Sequence, residues 1–512
     1  MKKTLLFSAV AAILSNTVLA VELDPLTPEQ RHHQAYEYRE QQANYNYDNH
    51  PAPHPTNSDE MAVPHFYGQF HKSLPHSDNG RVDKDAYQQL LHAIEAGTFA
   101  AFEQVPVGGP VKLANPLAAQ VYDLVGRDNH DYGTKPPPAL GSAEAAAEMV
   151  EVYAMALLRD VPFIRYSRNR SVINIADELA NLKDFYGPTR PGLLFRGIFE
   201  GDQVGPYISQ FLYKDIPAGP KVINQKYTRY KAGENFMTAY NEWLAIQNGQ
   251  NPTQSLTTSD ENYMLTGRDL ARYVHQDFTY QAFQNAALIL LGWGPGVWDD
   301  GNPYKTATRQ GAFVDLGAGE ILDTVAKAGN AALRAVWFQK WNVHRRLRPE
   351  EYGGLAQNNP GLLHAQFNSS RVLNHVHKIY GTRLLPMAYP EGAPTHPAYP
   401  AGHAAISGAC ATVLKAFFKE DAIIPSPVQP SANGVSLQPI RDVLTIGGEI
   451  NKLASNISLG RDWAGVHYRS DGKEGMLLGE EVGIAILKDW HDAHPEVPAL
   501  TLKKFDGEEI QI

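Results

Sequence analysis

A single cysteine, Cys410, in 512 residues rules out an internal disulfide and any zinc or iron–sulfur site built on thiolates. It sits in "SGACATVLKAFF", whose apolar spacing puts it on the buried face of a helix, with a disulfide between chains as the other use open to it. Long apolar runs are missing as well. Beyond the first twenty residues no stretch supplies the ~20 apolar residues of a bilayer helix, so the mature chain is expected to be soluble, with no membrane partner. Strand-like alternation is scarce, "ALTLKKFDGEEIQI" at the end being the best hairpin candidate, and no repeat recurs at a fixed period. Positive charge is in deficit: a net charge of −10 argues against nucleic acid or an anionic membrane surface as the main partner. A basic pocket in such a chain needs a local cause.

What is present begins with "MKKTLLFSAVAAILSNTVLA", residues 1–20. Lys2 and Lys3, an apolar run from Leu5 to Leu14 and Val18-Leu19-Ala20 have the layout of a secretory signal, which predicts a mature start at Val21 and a periplasmic or secreted protein. Residues 21–140 are rich in Pro, His, Asn and Tyr and read as an irregular arm, with one helix-like piece near "VDKDAYQQLLHAIEAGTFAAFEQ". The arm's His32, His33, His50, His54 and His65 have no metal-ligand spacing and read as solvated or interface residues. Residues 141–512 turn helical, with apolar residues at three- and four-residue intervals. The expected fold is mainly α: helical bundles forming two four-helix-bundle-like cores, an irregular N-terminal arm and few short strands, with the active site in 330–475.

Three blocks point at one anion. "HPAYPAGHAAISGA" opens a helix with Pro400, Ala401 and Gly402 and puts His403 on its first turn, where unpaired N–H groups and the positive dipole end attract an anion that glycine lets approach. In "KWNVHRRLRPE", Lys340, His344 and Arg348 fall broadly on one side of a helix that Pro349 is expected to terminate. In "GRDWAGVHYRSDG", Arg461 and His467 flank Ala464-Gly465, and a helix starting near Val466 would put Asp471 one turn from His467, able to orient its ring or pair with an arginine. Lys340, Arg348 and Arg461 supply three cations and the Gly402 N–H a further donor for an oxyanion of the vanadate or phosphate type. His467 can bond to its central atom, and His403 can move protons.

As an ordered set, Lys340, Arg348-Pro349, Pro400, Gly402-His403, Arg461, His467 and Asp471 resemble the signature of the vanadium-dependent haloperoxidases and the related acid phosphatases. The Lys340-to-Arg348 spacing is one residue longer than is usual in phosphatases and fungal chloroperoxidases. That spacing, the "KWxxHRxxRPE" wording and His396 are similar to the bromoperoxidases of marine algae and cyanobacteria. The resemblance implies vanadate as cofactor, His467 as its axial ligand, and Lys340, Arg348, Gly402, His403 and Arg461 around its oxygens. It also implies His403 as the group that takes a proton from hydrogen peroxide, Lys340 as the group that polarises the peroxide, and Trp337 and His396 beside the halide. The product would be a hypohalous-acid-like oxidant, formed from bromide, that halogenates small organic acceptors. Relatives of this kind are homo-oligomers, and the arm would suit subunit contacts. "WDDGNPY" places Asp299 and Asp300 in a turn that reads as plainly solvated, although algal members hold a structural Ca2+ near such a turn.

One position departs from the family pattern: the serine of Pro-Ser-Gly-His is Ala401 here, which removes a hydroxyl worth about 0.5–1.5 kcal/mol as a hydrogen bond. Two other functions use the same residues. An acid phosphatase is disfavoured by the long Lys340-to-Arg348 spacing and by His396. A non-catalytic periplasmic oxyanion-binding protein would need neither His403 nor His467.

Overall fold

The computed structural model describes residues 26–49, 53–494 and 497–512. The secretory-signal reading of residues 1–20, and His50, lie outside the described residues.

Four helices, Ala318–Phe338, Gly402–Phe417, Ile446–Ala464 and Arg469–Asp492, pack into a bundle around Gly402–Phe417, which touches the other three. Every residue of Gly402–Phe417 is buried except His403, and every residue of Ile446–Ala464 is buried. A helix enclosed on all sides has no need of a single apolar stripe. The helices Gly402–Phe417 and Arg469–Asp492 meet almost backbone to backbone. A Cβ added to Gly479 would stand 1.9 Å from the Ala405 carbonyl oxygen, and one on Gly408 would stand 2.0 Å from that of Met476. This contact joins the helix carrying His403 to the one carrying Asp471.

A second helical group, in which Ala143–Leu158 touches Arg170–Ala180 and Arg371–Tyr380, meets the bundle where Ala143–Leu158 packs on Ile446–Ala464. Among the described residues, four two-stranded antiparallel ribbons complete the fold. The expected C-terminal hairpin is one of them, pairing Thr501–Lys503 with Glu509–Gln511. Among the described residues no helix is long and apolar enough to cross a membrane.

The arm is less irregular than expected. Pro28–Asp48 is a 21-residue helix without one buried residue. Being polar all round, it gives no periodic signal, yet its start is written in the sequence: Thr27 and Gln30 form a capping box and Pro28 takes the first helical position. The expected helix-like piece is Lys84–Ala96, capped by Asp83 and by Gly97 at φ 59°.

Candidate active site

The Ala318–Phe338 helix runs on as a single π-helical turn, Gln339–His344, and stops where Arg345 takes φ 44°. Lys340 projects from that turn. Pro349, expected to terminate a helix bearing both Lys340 and Arg348, instead begins the next one, Pro349–Asn358, with Arg348 as its N-cap residue. The reason is positional: proline's missing N–H costs nothing at the first helical position. Lys340 and Arg348 therefore approach each other from different elements. Likewise the helix after Gly465 starts at Arg469 rather than near Val466, which leaves His467 in the connection.

Lys340 and Arg348 are fully buried, and Arg461, on the last turn of Ile446–Ala464, nearly so. Lys340 Nζ donates to the carbonyls of Pro397 and Ala398, each at 2.7 Å. An ammonium has three N–H groups, so one remains. Arg348 Nε donates to His396 O at 2.9 Å and its Nη1 to Val466 O at 2.7 Å. Arg461 Nη1 donates to Val274 O at 2.7 Å, while its buried Nε has no partner among the described residues. Burial, reinforced by Arg348 and Arg461, pushes the Lys340 ammonium well below its ordinary range. Burial and Arg461 bring Arg348 down to about 10. Three desolvated cations that repel one another constitute a site for an anion.

His467 faces this cluster. Arg348 Nη1 lies 2.9 Å from His467 Nε2, and a guanidinium can only donate, so Nε2 carries the lone pair. The ring hydrogen is then on Nδ1, which donates to Asp471 Oδ2 at 2.8 Å. Burial and the adjoining Arg348, Lys340 and Arg461 hold this imidazole well below its usual pKa, hence neutral.

The opening of the Gly402–Phe417 helix completes the ring of donors. Its N-cap residue, Ala401, has no capping side chain. A Cβ on Gly402 would meet Leu333 and Trp337 only at 3.7 Å, so the neighbouring side chains do not require glycine, and an amide at a helix start is a donor suited to an anion. His403 Nε2 lies 3.0 Å from Asp277 Oδ1, just beyond the Gly267–Gln276 helix. On the other flank, Arg348 Nη2 is 3.0 Å from His396 Nδ1, and the His396 ring leans on Trp337 with centroids 4.6 Å apart. Trp337 Nε1 donates to Asn115 O at 3.0 Å, so the arm closes over this flank.

The sequence-predicted residues Lys340, Arg348, Arg461 and His467, with Trp337, His396, Gly402, His403 and Asp471 around them, thus converge on one end of the bundle. Sequence reasoning missed Asp277 and Arg346. The first is a lone carboxylate after a helix end, and the second was hidden within a run of arginines. Asp299 and Asp300 lie at the opposite end of the Gly402–Phe417 helix, where Asp299 N donates to Phe417 O. The Asp300 oxygens are paired with Lys305 at 2.6 Å and Lys419 at 2.8 Å. Among the described residues, the three side chains grouped closely enough to share an ion are Asp315, Glu320 and His494.

Residues 321–494 match the family model of the VCPO second helical-bundle domain. A vanadium-dependent bromoperoxidase of Ascophyllum nodosum is 38% identical over 483 residues, spanning 87% of this chain and 86% of that protein. One of Corallina officinalis is 33% identical over 559 residues, spanning 90% and 92%. The solved structure of the homohexameric second vanadate-dependent bromoperoxidase of Ascophyllum nodosum superposes with a TM-score of 0.90 at 33% identity, covering 99% of this chain and 94% of that one.

Proposed function

The chain belongs to the vanadium-dependent haloperoxidases, and from that premise we propose that it is an exported bromide-oxidising enzyme that works as a homo-oligomer. The names of its relatives support bromide as the halide. Export is supported by the layout of residues 1–20. Oligomerisation is supported by the homohexameric neighbour and by the Pro28–Asp48 helix, which has no fully buried residue and leaves Tyr36 and Tyr45 exposed.

The donor set fits vanadate. The observation that carries the reading is the His467 Nε2 lone pair turned into a cluster of three buried cations, two of which, Lys340 and Arg461, have an N–H without a partner among the described residues. His467 would supply the protein's bond to the metal, and Lys340, Arg348, Arg461 and the amides at Gly402 would hold the oxygens. When bound, vanadate supplies a Lewis acid that activates hydrogen peroxide toward attack by halide. His403, with Asp277 behind it, would hold and move the proton exchanged with peroxide. Lys340 would direct its positive charge at the bound anion and so favour the charge that builds up there. His396 and Trp337 form the side from which bromide would approach, and small organic acceptors would meet the oxidant at this mouth.

A bromination assay with monochlorodimedone, run on dialysed protein with and without vanadate, tests the reading. Activity that appears on vanadate addition, needs bromide and falls with added phosphate supports it. Full activity without vanadium would sink it, as would phosphate-ester hydrolysis with no halide oxidation.

A further inference from the structure

Asp471 is completely buried, and its two oxygens are divided between two tasks. Oδ2 accepts His467 Nδ1–H at 2.8 Å and the Tyr468 amide at 3.2 Å. Oδ1 accepts Arg346 Nη1 at 2.7 Å. Arg346, only 3% exposed, is itself held from three sides. Its guanidinium lies over the Tyr468 ring at 3.9 Å, its Nη2 donates to Glu148 Oε2 at 3.1 Å, and its Nη1 also donates to Ser470 Oγ at 2.9 Å. Ser470 in turn binds Glu148 through both its amide and its hydroxyl, at 2.6 and 3.0 Å.

A planar guanidinium fixed by a ring face and two hydrogen-bond acceptors has one orientation available. A carboxylate using both oxygens cannot rotate without breaking a charge-assisted bond. The imidazole bonded to that carboxylate inherits the constraint, since the partner on the far nitrogen sets the ring's angle and the donor strength of the near one. The hydrogen bonds of the Arg346 guanidinium go to Ser470, Asp471 and Glu148, all behind His467 as seen from the anion pocket.

We infer that Arg346, clamped by Glu148 and Tyr468, is a positioning residue: acting through Asp471, it sets the orientation and donor strength of His467 Nε2 and so the affinity for vanadate. The inference rests on the vanadate reading above. It joins three segments distant in sequence, the Ala143–Leu158 helix, the loop before Pro349 and the start of Arg469–Asp492, into one support for one nitrogen. Lysine cannot take the place of Arg346, because a point ammonium neither lies flat on Tyr468 nor reaches three oxygens in a fixed plane.

A double-mutant cycle on vanadate affinity tests it. The full-length mature protein is stripped of vanadate and retitrated by calorimetry as wild type, Arg346→Lys, Asp471→Asn and the double variant, with circular dichroism to establish folding. Each single change is expected to weaken vanadate binding about 10–100-fold. The double variant should be no weaker than Asp471→Asn alone, within about twofold, because Arg346 acts only through Asp471. If Arg346→Lys does not fold, Arg346→Met with Glu148→Gln removes the buried charge pair together and takes its place in the cycle. Wild-type affinity in a folded Arg346 variant, or losses that multiply in the double variant, would overturn the inference. Failure of the wild-type chain to bind vanadate would overturn the functional reading and this inference with it.

Discussion

His403 Nε2 and Asp277 Oδ1 stand 3.0 Å apart, and His403 is the one residue of its helix that is not buried. A histidine that moves protons must meet substrate on one side and be held on the other, and this pair meets both needs. His403→Ala should lower kcat about 10²–10⁴-fold, the usual worth of a general acid–base, while vanadate binds within a few-fold of wild type. Asp277→Asn should lose about tenfold to a hundredfold by loosening the ring. Steady-state bromination paired with vanadate titration separates the two effects. A large loss of vanadate affinity in Asp277→Asn would move that residue from proton transfer to anion binding.

The close contact at Gly479 predicts that the bundle and the site fail together. Gly479→Ala puts a methyl where the Ala405 carbonyl stands 1.9 Å away, so the helices bearing His403 and Asp471 must separate. Overpacking of this kind costs about 1–3 kcal/mol. The variant should unfold at lower denaturant and bind vanadate more weakly, whereas Gly361→Ala, which meets nothing within 4 Å, should do neither. Unchanged vanadate affinity in a destabilised Gly479→Ala would show that the site tolerates helix movement.

Much of this site could be read before folding because its chemistry is dense in sequence. Lys340 and Arg348, Gly402 and His403, and Arg461, His467 and Asp471 each sit within a short block, and oxyanion chemistry demands cations and histidines together. The mainly α class was legible for a similar reason, since most bundle helices keep three- and four-residue apolar spacing. What escaped was of two kinds. Long-range partners such as Asp277, Arg346 and Glu148 come from other elements and carry no local signal. Element boundaries near Pro349 and Val466 were misplaced because proline and glycine punctuate helices at both ends, and only the packing decides which end a given residue marks. The Pro28–Asp48 helix was missed for want of an apolar face, although its cap was present in the sequence.

His344 gives a pH prediction. It is buried against Tyr399, its Nε2 lies 3.0 Å from Thr134 Oγ1 and 3.1 Å from Gln339 Oε1, and its Nδ1 has no partner among the described residues. Burial, with repulsion from His54, Arg345 and Arg346, lowers it from 6.5 to about 3. In the unfolded chain the same ring takes up a proton near 6.5. Below that pH the unfolded state binds more protons than the folded one, so this stability contribution is full above 6.5 and is lost as pH falls toward 3. Buried Glu148 and Glu351, each raised from 4.5 to about 7 chiefly by burial, act in the opposite direction between those values. The test is therefore a difference: His344→Gln should gain stability relative to wild type as pH drops from 6.5 to 4 in urea unfolding. A difference independent of pH would show that His344 takes up its proton equally in the folded and unfolded chains.

Ala401 sits at the N-cap of the helix that carries His403, with no side chain to satisfy the first amides. Serine there could do either of two things, and they have different readouts. If its hydroxyl caps the helix, Ala401→Ser should stabilise the vanadate-free protein by about 0.5–2 kcal/mol and leave vanadate affinity nearly unchanged. If the hydroxyl turns to the anion, vanadate should bind a few-fold to about tenfold tighter, the range of one hydrogen bond of about 0.5–1.5 kcal/mol. The pocket favours the second outcome, since three buried cations draw an oxyanion to the helix start, where it would itself occupy the amides. Turnover at saturating vanadate should change little, because His403 and Lys340 stay where they are. Vanadate titration and thermal unfolding of both forms decide between the outcomes, and equal affinity with equal stability would mean that the missing hydroxyl is neutral in this chain.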